Sequence, residues 1–129
     1  MIFVDTNVLM YAVGRPHPLR APAREFFEEA LQGQESLATS AEVLQELLHA
    51  YLPVGRTDTL DAALELAESA IGIVWPVEEA DVRFARLLAG RHAGLGARDL
   101  LHLACCKRRK ASKLMSFDRA LAAAFRQKG

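Results

Sequence analysis

Short apolar runs alternate along the chain with longer stretches in which apolar residues recur every three or four positions. The short runs predict buried β-strands, and the longer stretches predict amphipathic helices. The longest of these runs, IGIVWPV, predicts a central strand, because strands covered on both faces have few polar positions. The predicted strands span residues 2–4, 36–39, 71–77 and 114–117.

Polar and helix-breaking residues mark the boundaries of the predicted helices. Thr39 and Glu42 have the spacing of a capping box, which predicts that a helix begins there. Glycine and proline residues predict loops at 14–18 and 90–96. The predicted helices cover residues 8–12, 22–32, 40–52, 60–71, 78–89, 97–110 and 118–127.

This alternation of strands and helices predicts a single α/β domain over residues 1–129. We expect a three-layer arrangement in which a short parallel sheet of about four strands has helices on both faces. In sheets of this kind, ligands bind in the crevice beyond the carboxyl ends of the strands. The acidic residues at those ends are therefore the first candidates for function.

Four acidic residues occupy such positions. Asp5 follows the first predicted strand directly, and Asp118 follows the last one. Asp99 lies in the first turn of a helix after a glycine-rich loop, and Glu46 lies in the helix after the second strand. Each also has a simpler interpretation: Asp5 and Asp118 as helix caps, Asp99 as a partner of a helix dipole, and Glu46 as a solvated residue. Together, however, three of the four lie where this fold brings strand and helix ends together.

A crevice that contains several carboxylates favours a bound cation. Crowded carboxylates repel one another, and one or more would take up a proton unless a cation neutralised them. Oxygen ligands of this kind suit Mg²⁺ or Mn²⁺. Such a metal can activate water and stabilise an in-line displacement at phosphorus. The four acids therefore predict metal-dependent phosphoryl chemistry, without identifying its substrate.

The sequences around the acids resemble those of a known family. Residues 5–9 (DTNVL), directly after the first strand, resemble the opening of a PIN-domain nuclease. Residues 40–48 (SAEVLQELL), 96–104 (GARDLLHLA) and 114–118 (LMSFD) resemble, in order, the segments that carry the other acids of that family. The resemblance spans nearly the whole chain, and the ordered set is far more specific than any one motif.

The resemblance implies a small PIN-domain ribonuclease of the VapC kind, which is the toxin of a prokaryotic toxin–antitoxin pair. Members of this kind use Mg²⁺ or Mn²⁺, cut structured RNA, form homodimers and are inhibited by a cognate antitoxin. The resemblance implies that the catalytic and metal-binding residues are Asp5, Glu46, Asp99 and Asp118. The short final strand that the family often has is not recognisable before Gly129, so we expect four strands.

Two polar neighbours of these acids are candidates for supporting roles. The resemblance implies that Asn7 orients Asp5 or a water at the metal, and that Ser116 supports the site by hydrogen bonding. The alternatives are that Asn7 is an ordinary polar residue in the first turn of a helix and that Ser116 is an ordinary residue at a strand end.

Two other residues lie close to the acids in sequence. Glu42 shares a helix face with Glu46 and competes with it as a ligand, but the capping box accounts for Glu42 without any site. His102 lies three residues after Asp99 and could face the same way. Because a zinc pattern such as H-E-x-x-H is absent, we expect His102 to pack or hydrogen-bond near the site without binding metal.

The distribution of charge favours a polyanionic partner, unless folding interleaves the acidic and basic halves of the chain. The formal net charge is zero, but residues 1–75 contain 4 basic and 11 acidic residues, whereas residues 76–129 contain 12 basic and 5 acidic residues. We expect RNA phosphate contacts from one basic residue beside Asp99 and from a basic cluster: Arg98, Lys107, Arg108, Arg109 and Lys110. The alternative is that the cluster is a solvated helix end that matches the helix dipole.

Composition excludes several other classes of protein. With 51% hydrophobic and 25% charged residues, the chain is typical of globular domains. Its longest apolar stretch, residues 70–77, is far shorter than the ~20 residues of a membrane span. No basic residue precedes the apolar N-terminus and Asp5 interrupts it, so we expect no signal peptide. The adjacent Cys105 and Cys106 cannot easily pair, which favours a reducing cytoplasmic setting.

Other functional classes fit the sequence less well. A haloacid-dehalogenase-type phosphatase needs a second Asp two residues after the first one, where this chain has Asn7. A response-regulator receiver needs an extra acidic pair near the first strand, which is absent. The remaining alternative is a catalytically inactive PIN-like module that binds RNA or a partner.

Overall fold

Four short strands form a parallel sheet in the computed structural model of the chain, which describes residues 1–127. The strands lie in the order β3-β2-β1-β4. The parallel four-stranded sheet confirms the predicted fold class. The strand bounds are β1 (Ile2–Val4), β2 (Leu37–Ser40), β3 (Ile73–Trp75) and β4 (Lys113–Met115).

Helices connect the strands and cover the sheet. Their bounds are α1 (Thr6–Val13), α2 (Arg20–Gln32), α3 (Ala41–Tyr51), α4 (Thr57–Ala70), α5 (Glu79–Leu88), α6 (Ala97–Arg108) and α7 (Arg119–Arg126), with a short 3₁₀ helix at Leu52–Val54. The chain moves from β1 through β2 to β3 and then crosses back to β4. Because such crossovers are right-handed, helices α1 to α4 lie on one face and α5 and α6 on the other. Within the described part of the chain, no helix is long and apolar enough to span a membrane.

The central strand anchors the core. Phe3 and Val4 in β1 have no solvent exposure, and the Phe3 ring stacks on Trp75 with centroids 5.6 Å apart. Both cysteines of α6 are buried free thiols packed in the same core. Three apolar residues are therefore enough for β1, because neighbouring strands and both helix layers cover it.

The predicted capping box is wrong by one residue. Thr39 is still part of β2, and its hydroxyl donates a hydrogen bond to the backbone oxygen of Val4 at 2.9 Å. Ser40 caps α3 instead, accepting a hydrogen bond from the Val43 backbone N–H. Strand pairing continues through Ser40 opposite Trp75, so the helix begins one residue later than the side-chain pattern predicts.

The predicted central position of the third strand is also wrong. β3 is an edge strand of three residues, and Ile73 and Val74 are 40% and 46% exposed. Ile71 belongs to the end of α4, and Pro76 has no N–H with which to extend the ladder. An apolar run identifies buried and half-buried positions alike, so it does not distinguish an edge strand from a central one.

A buried ion pair joins α5 to the end of α6. Asp81 has no solvent exposure, and both its oxygens accept hydrogen bonds from the Arg109 guanidinium, at 2.7 and 3.0 Å. Arg108 adds a third bond at 2.6 Å, and the backbone N–H of Glu78 adds a fourth. Burial alone would raise the pKa of Asp81, but these hydrogen bonds hold it well below its usual range.

We expect Asp81→Asn to lower the free energy of unfolding by about 3 kcal/mol at pH 7, because it removes the buried anion of the pair and leaves Arg108 and Arg109 with the more exposed Glu78. Because folding lowers the pKa of Asp81, its ionised carboxylate stabilises the fold at pH values above the pKa of an unfolded Asp, and this stabilisation is lost as pH falls. The difference between wild type and variant should therefore shrink below about pH 4. Urea titrations at several pH values measure this difference. In the matched control Glu79→Gln, which breaks the exposed pair with Arg83, the loss should not exceed about 1 kcal/mol. Equal losses in the two variants would contradict a structural role for Asp81.

Candidate active site

The four predicted acids line one crevice at the carboxyl ends of β1 and β4. Its volume is about 250 Å³, and its walls come from the start of α1, the middle of α3 and the start of α6. Asp5 directly follows β1, and Asp118 lies three residues after β4. Glu46 reaches the crevice from α3, and Asp99 from the first turn of α6. The topology thus brings together side chains that are up to 113 positions apart in the sequence.

Two hydrogen bonds fix the orientation of Asp5. Its Oδ1 accepts from the Thr6 backbone N–H at 2.7 Å, and its Oδ2 accepts from the Ser116 hydroxyl at 2.6 Å. The residue is only 5% exposed, and burial raises the pKa of its carboxyl despite these bonds. Asp5 therefore caps α1 and lines the crevice at once, so the simpler interpretation and the functional one are compatible.

Ser116 organises the loop that carries Asp118. Its hydroxyl donates to Asp5 and accepts from the Asn7 side-chain amide at 3.2 Å and from the Asp118 backbone N–H at 2.9 Å. One donated and two accepted bonds use the full capacity of a hydroxyl. Asn7 also accepts from the Phe117 backbone N–H at 3.1 Å. Asn7 thus orients Asp5 through Ser116, and the same contacts fix the start of the Asp118 turn.

Glu46 is held by two donors that the acidic motif does not include. Its Oε2 accepts from the Thr6 hydroxyl at 2.6 Å, and its Oε1 lies 2.7 Å from Nε2 of His102. His102 is 1% exposed and packs against Phe3, so it hydrogen-bonds near the site, as the sequence predicts. Burial would raise the pKa of Glu46, but these hydrogen bonds and the charge on His102 lower it. Glu42 lies in the first turn of α3 and does not line the crevice.

Asp99 experiences the repulsion within the crevice most directly. Burial, followed by the negative charges of Asp118 and Asp5, raises the pKa of Asp99 to about 6. Asp118 uses one oxygen to cap α7, accepting from the Leu121 backbone N–H at 3.1 Å. Burial is the largest cause of this rise in the pKa of Asp99, and the two neighbouring carboxylates add to it.

The comparisons with known proteins agree with this geometry. The sequence profile of the PIN domain matches residues 2–126. Ribonuclease VapC23 of Mycobacterium tuberculosis is 65% identical over 126 residues, which cover 98% of this chain and 99% of that protein. The chain belongs to the PIN-domain family. Within it, the chain is a ribonuclease of the VapC type.

Two further proteins show how widely the similarity extends. Ribonuclease VapC13 of Mycobacterium tuberculosis is 42% identical over 119 residues, 92% of this chain and 91% of that protein. The crystal structure of VapC20 of the same species, a toxin that cleaves the sarcin–ricin loop, superimposes with a TM-score of 0.81. It covers 96% of this chain and 95% of that one at 19% identity, so it shows a common fold.

The donor set of this PIN domain fits a divalent cation. Ligand atoms of Asp5, Glu46 and His102 lie within 4.8 Å of one another, and two of these three residues are buried. The carboxylates supply the oxygen ligands that Mg²⁺ and Mn²⁺ prefer. A cation would also neutralise the charge that raises the pKa of Asp99. His102 has its Nε2 directed at Glu46, and its buried Nδ1 has no partner among the described residues.

The predicted RNA-contacting residues divide into two groups in the structure. Arg98 lines the crevice, and its charge lowers the pKa of Glu46. Arg108 and Arg109 lie at the other end of α6, about 14 Å from Asp99 along the helix axis, and bind the buried Asp81. Within residues 1–127 they are thus part of a structural ion pair, which disfavours the predicted phosphate contact for these two. For Lys107 and Lys110, contact with RNA phosphates stays a prediction.

The high pKa of Asp99 opposes folding at neutral pH, and protonation relieves this cost as pH falls through about 6. Without metal and above pH 6, Asp99→Asn should therefore have a Tm equal to or above that of wild type, and the two should converge at lower pH. Added Mn²⁺ should raise the Tm of wild type more than that of the variant, because bound metal favours only the folded state. Asp61→Asn, an exposed control on α4, should follow wild type in both comparisons. Equal Mn²⁺-induced shifts in wild type and Asp99→Asn would remove Asp99 from the metal site.

Proposed function

We propose that this PIN domain is a Mg²⁺- or Mn²⁺-dependent endoribonuclease that hydrolyses phosphodiester bonds in structured RNA. We propose further that it is the toxin of a toxin–antitoxin pair. The observation that carries the proposal is the crevice in which Asp5, Glu46, Asp99 and Asp118 meet beside Arg98. Membership of the VapC ribonucleases supports the choice of RNA as substrate.

Asp5 and Glu46 are the central ligands in this proposal. Both oxygens of each already accept hydrogen bonds, so the carboxylates are oriented before any ligand arrives. Asp99 and Asp118 complete the acidic wall, and Ser116 and Asn7 hold the supporting network in place. When bound, a divalent cation supplies a Lewis acid that activates water and stabilises charge on the phosphate.

The remaining residues act on the substrate side of the crevice. Arg98 is exposed at the rim, where its guanidinium can contact a phosphate of the RNA that enters the acidic crevice. A preorganised site of this kind loses little free energy to rearrangement during the reaction. The hydrogen bonds from Thr6 and His102 make these two residues positioning groups for Glu46.

The same crevice provides a way for an antitoxin to inhibit the enzyme. A guanidinium binds carboxylates bidentately, so an arginine from the antitoxin could occupy the acidic crevice and exclude the metal.

We also propose that the protein acts in the cytoplasm and that it forms a homodimer. Apolar side chains that a partner could cover are exposed on α5, at Val82 and Leu87, and after α3, at Leu52 and Val54.

Cleavage of RNA by the purified, antitoxin-free protein tests the proposal. We expect cleavage of ribosomal RNA with Mg²⁺ or Mn²⁺, none in excess EDTA, and recovery when metal is restored. Asp5→Asn should slow cleavage at least about 100-fold because a preorganised group in the reacting site is lost, while RNA binding is retained. Asp61→Asn, the exposed control, should cleave like wild type.

Two outcomes would contradict this function. Cleavage that persists in EDTA would exclude the metal-dependent mechanism. Binding of RNA without any cleavage, over a panel of folded and unfolded RNAs, would instead establish the inactive RNA-binding module.

A further inference from the structure

A second groove adjoins the acidic crevice. It has a volume of about 290 Å³ and is lined by the end of α1, the loop after it, the end of α3 and Arg56. Asn7 and Met10 line both the groove and the crevice, so the two depressions adjoin at these residues. A polymer with one phosphate in the crevice would therefore extend into the groove with a neighbouring nucleotide.

The groove is opposite in charge to the crevice. Arg15, His17 and Arg56 line it, and no carboxylate does. Within residues 1–127, neither Arg15 nor Arg56 forms an ion pair with an acidic side chain, and Arg56 lies over the Tyr51 ring at 5.4 Å. Arg56 also donates a hydrogen bond to the Thr59 hydroxyl at 3.3 Å. Guanidinium groups without an acidic partner, next to the acidic crevice, are suited to an anionic chain that the carboxylates alone would repel.

His17 gives the groove a fixed aromatic surface. Its Nδ1 accepts a hydrogen bond from the Leu19 backbone N–H at 3.0 Å, so in the neutral ring the proton lies on Nε2. The ring packs on Tyr11 at an interplanar angle of 32° with centroids 4.6 Å apart, and Tyr11 in turn forms a T-shaped pair with Phe117, with centroids 5.7 Å apart. His17 itself is exposed. An aromatic ring that is already oriented loses little entropy when a base stacks on it.

We propose that this groove binds the nucleotide next to the cleaved phosphodiester bond. The base stacks on the His17–Tyr11 pair, and Arg15 and Arg56 contact the adjacent phosphates. The inference rests on the proposed function for its ligand, RNA, and adds the part of the enzyme that holds the substrate beside the reacting bond. Stacking accepts any base, so the groove contributes affinity and placement without reading a sequence by itself.

RNA binding measured without cleavage tests the groove. The parent is Asp5→Asn in Mg²⁺, and fluorescence anisotropy follows two labelled probes: a ten-uridine RNA and a ten-unit abasic ribose-phosphate chain of equal charge. Arg15→Gln and Arg56→Gln should each weaken binding of both probes and reduce the slope of log affinity against log salt by about one. His17→Leu should weaken only the uridine probe, by about fivefold or more, and His17→Phe should restore most of that loss.

The controls separate this inference from the proposed function. Arg86→Gln, at an exposed arginine on α5 outside both depressions, should bind both probes like the parent. If wild type cleaves RNA but the Arg15, Arg56 and His17 variants bind both probes within about twofold of the parent, the groove serves another ligand and the inference is wrong. Equal weakening of both probes by His17→Leu would overturn the stacking role. Failure of wild type to cleave would count against the proposed function alone.

Discussion

Four carboxylates held at one end of a small parallel sheet repel one another, and most of the polar contacts around them fix their positions against that repulsion. Asp5 accepts hydrogen bonds on both oxygens, and so does Glu46. Burial, together with the charges of Asp118 and Asp5, raises the pKa of Asp99 to about 6. The fold thus provides an acidic pocket, and a bound cation would stabilise the folded protein by neutralising the carboxylates.

The two ends of α6 deal with buried acids in opposite ways. At its C-terminal end, two arginines bind Asp81, whose pKa lies well below its usual range. At its N-terminal end, Asp99 faces other carboxylates and its pKa is about 6. The first arrangement stabilises the packing of α5 on α6 without any ligand, whereas the second is the part of the crevice for which we propose a bound cation. The C-terminal end of α6 therefore contributes to stability, and its N-terminal end contributes to the proposed site.

The sequence predicted much of this organisation because strand ends are local features and the family motif is ordered along the chain. The acids after β1 and β4 could be placed at one edge from the alternation of strands and helices alone. The edge position of β3 could not, since strand order depends on contacts between distant segments. Nor could the pairing of Arg108 and Arg109 with Asp81, because a charged run does not show which acid the fold will bring to it.

Contacts that join distant segments account for the other features that the sequence analysis missed. Thr6 stands inside the recognised motif, but only the structure shows that its hydroxyl reaches Glu46. Arg15 and Arg56 belong to different loops and form no cluster in the sequence, yet they line one groove. The basic run at the end of α6 is easier to recognise in the sequence as a candidate for RNA binding, but in the structure its two arginines bind Asp81.

The proposed function depends on a divalent metal that binds in the acidic crevice. Crystals of the antitoxin-free protein soaked in MnCl₂, with diffraction recorded near the manganese absorption edge, test it most directly. We expect an anomalous difference peak within about 2.5 Å of carboxylate oxygens of Asp5 and at least one other crevice acid, and no such peak in Asp5→Asn. A fully soaked crystal with no peak in the crevice, or with manganese bound only elsewhere, would contradict it.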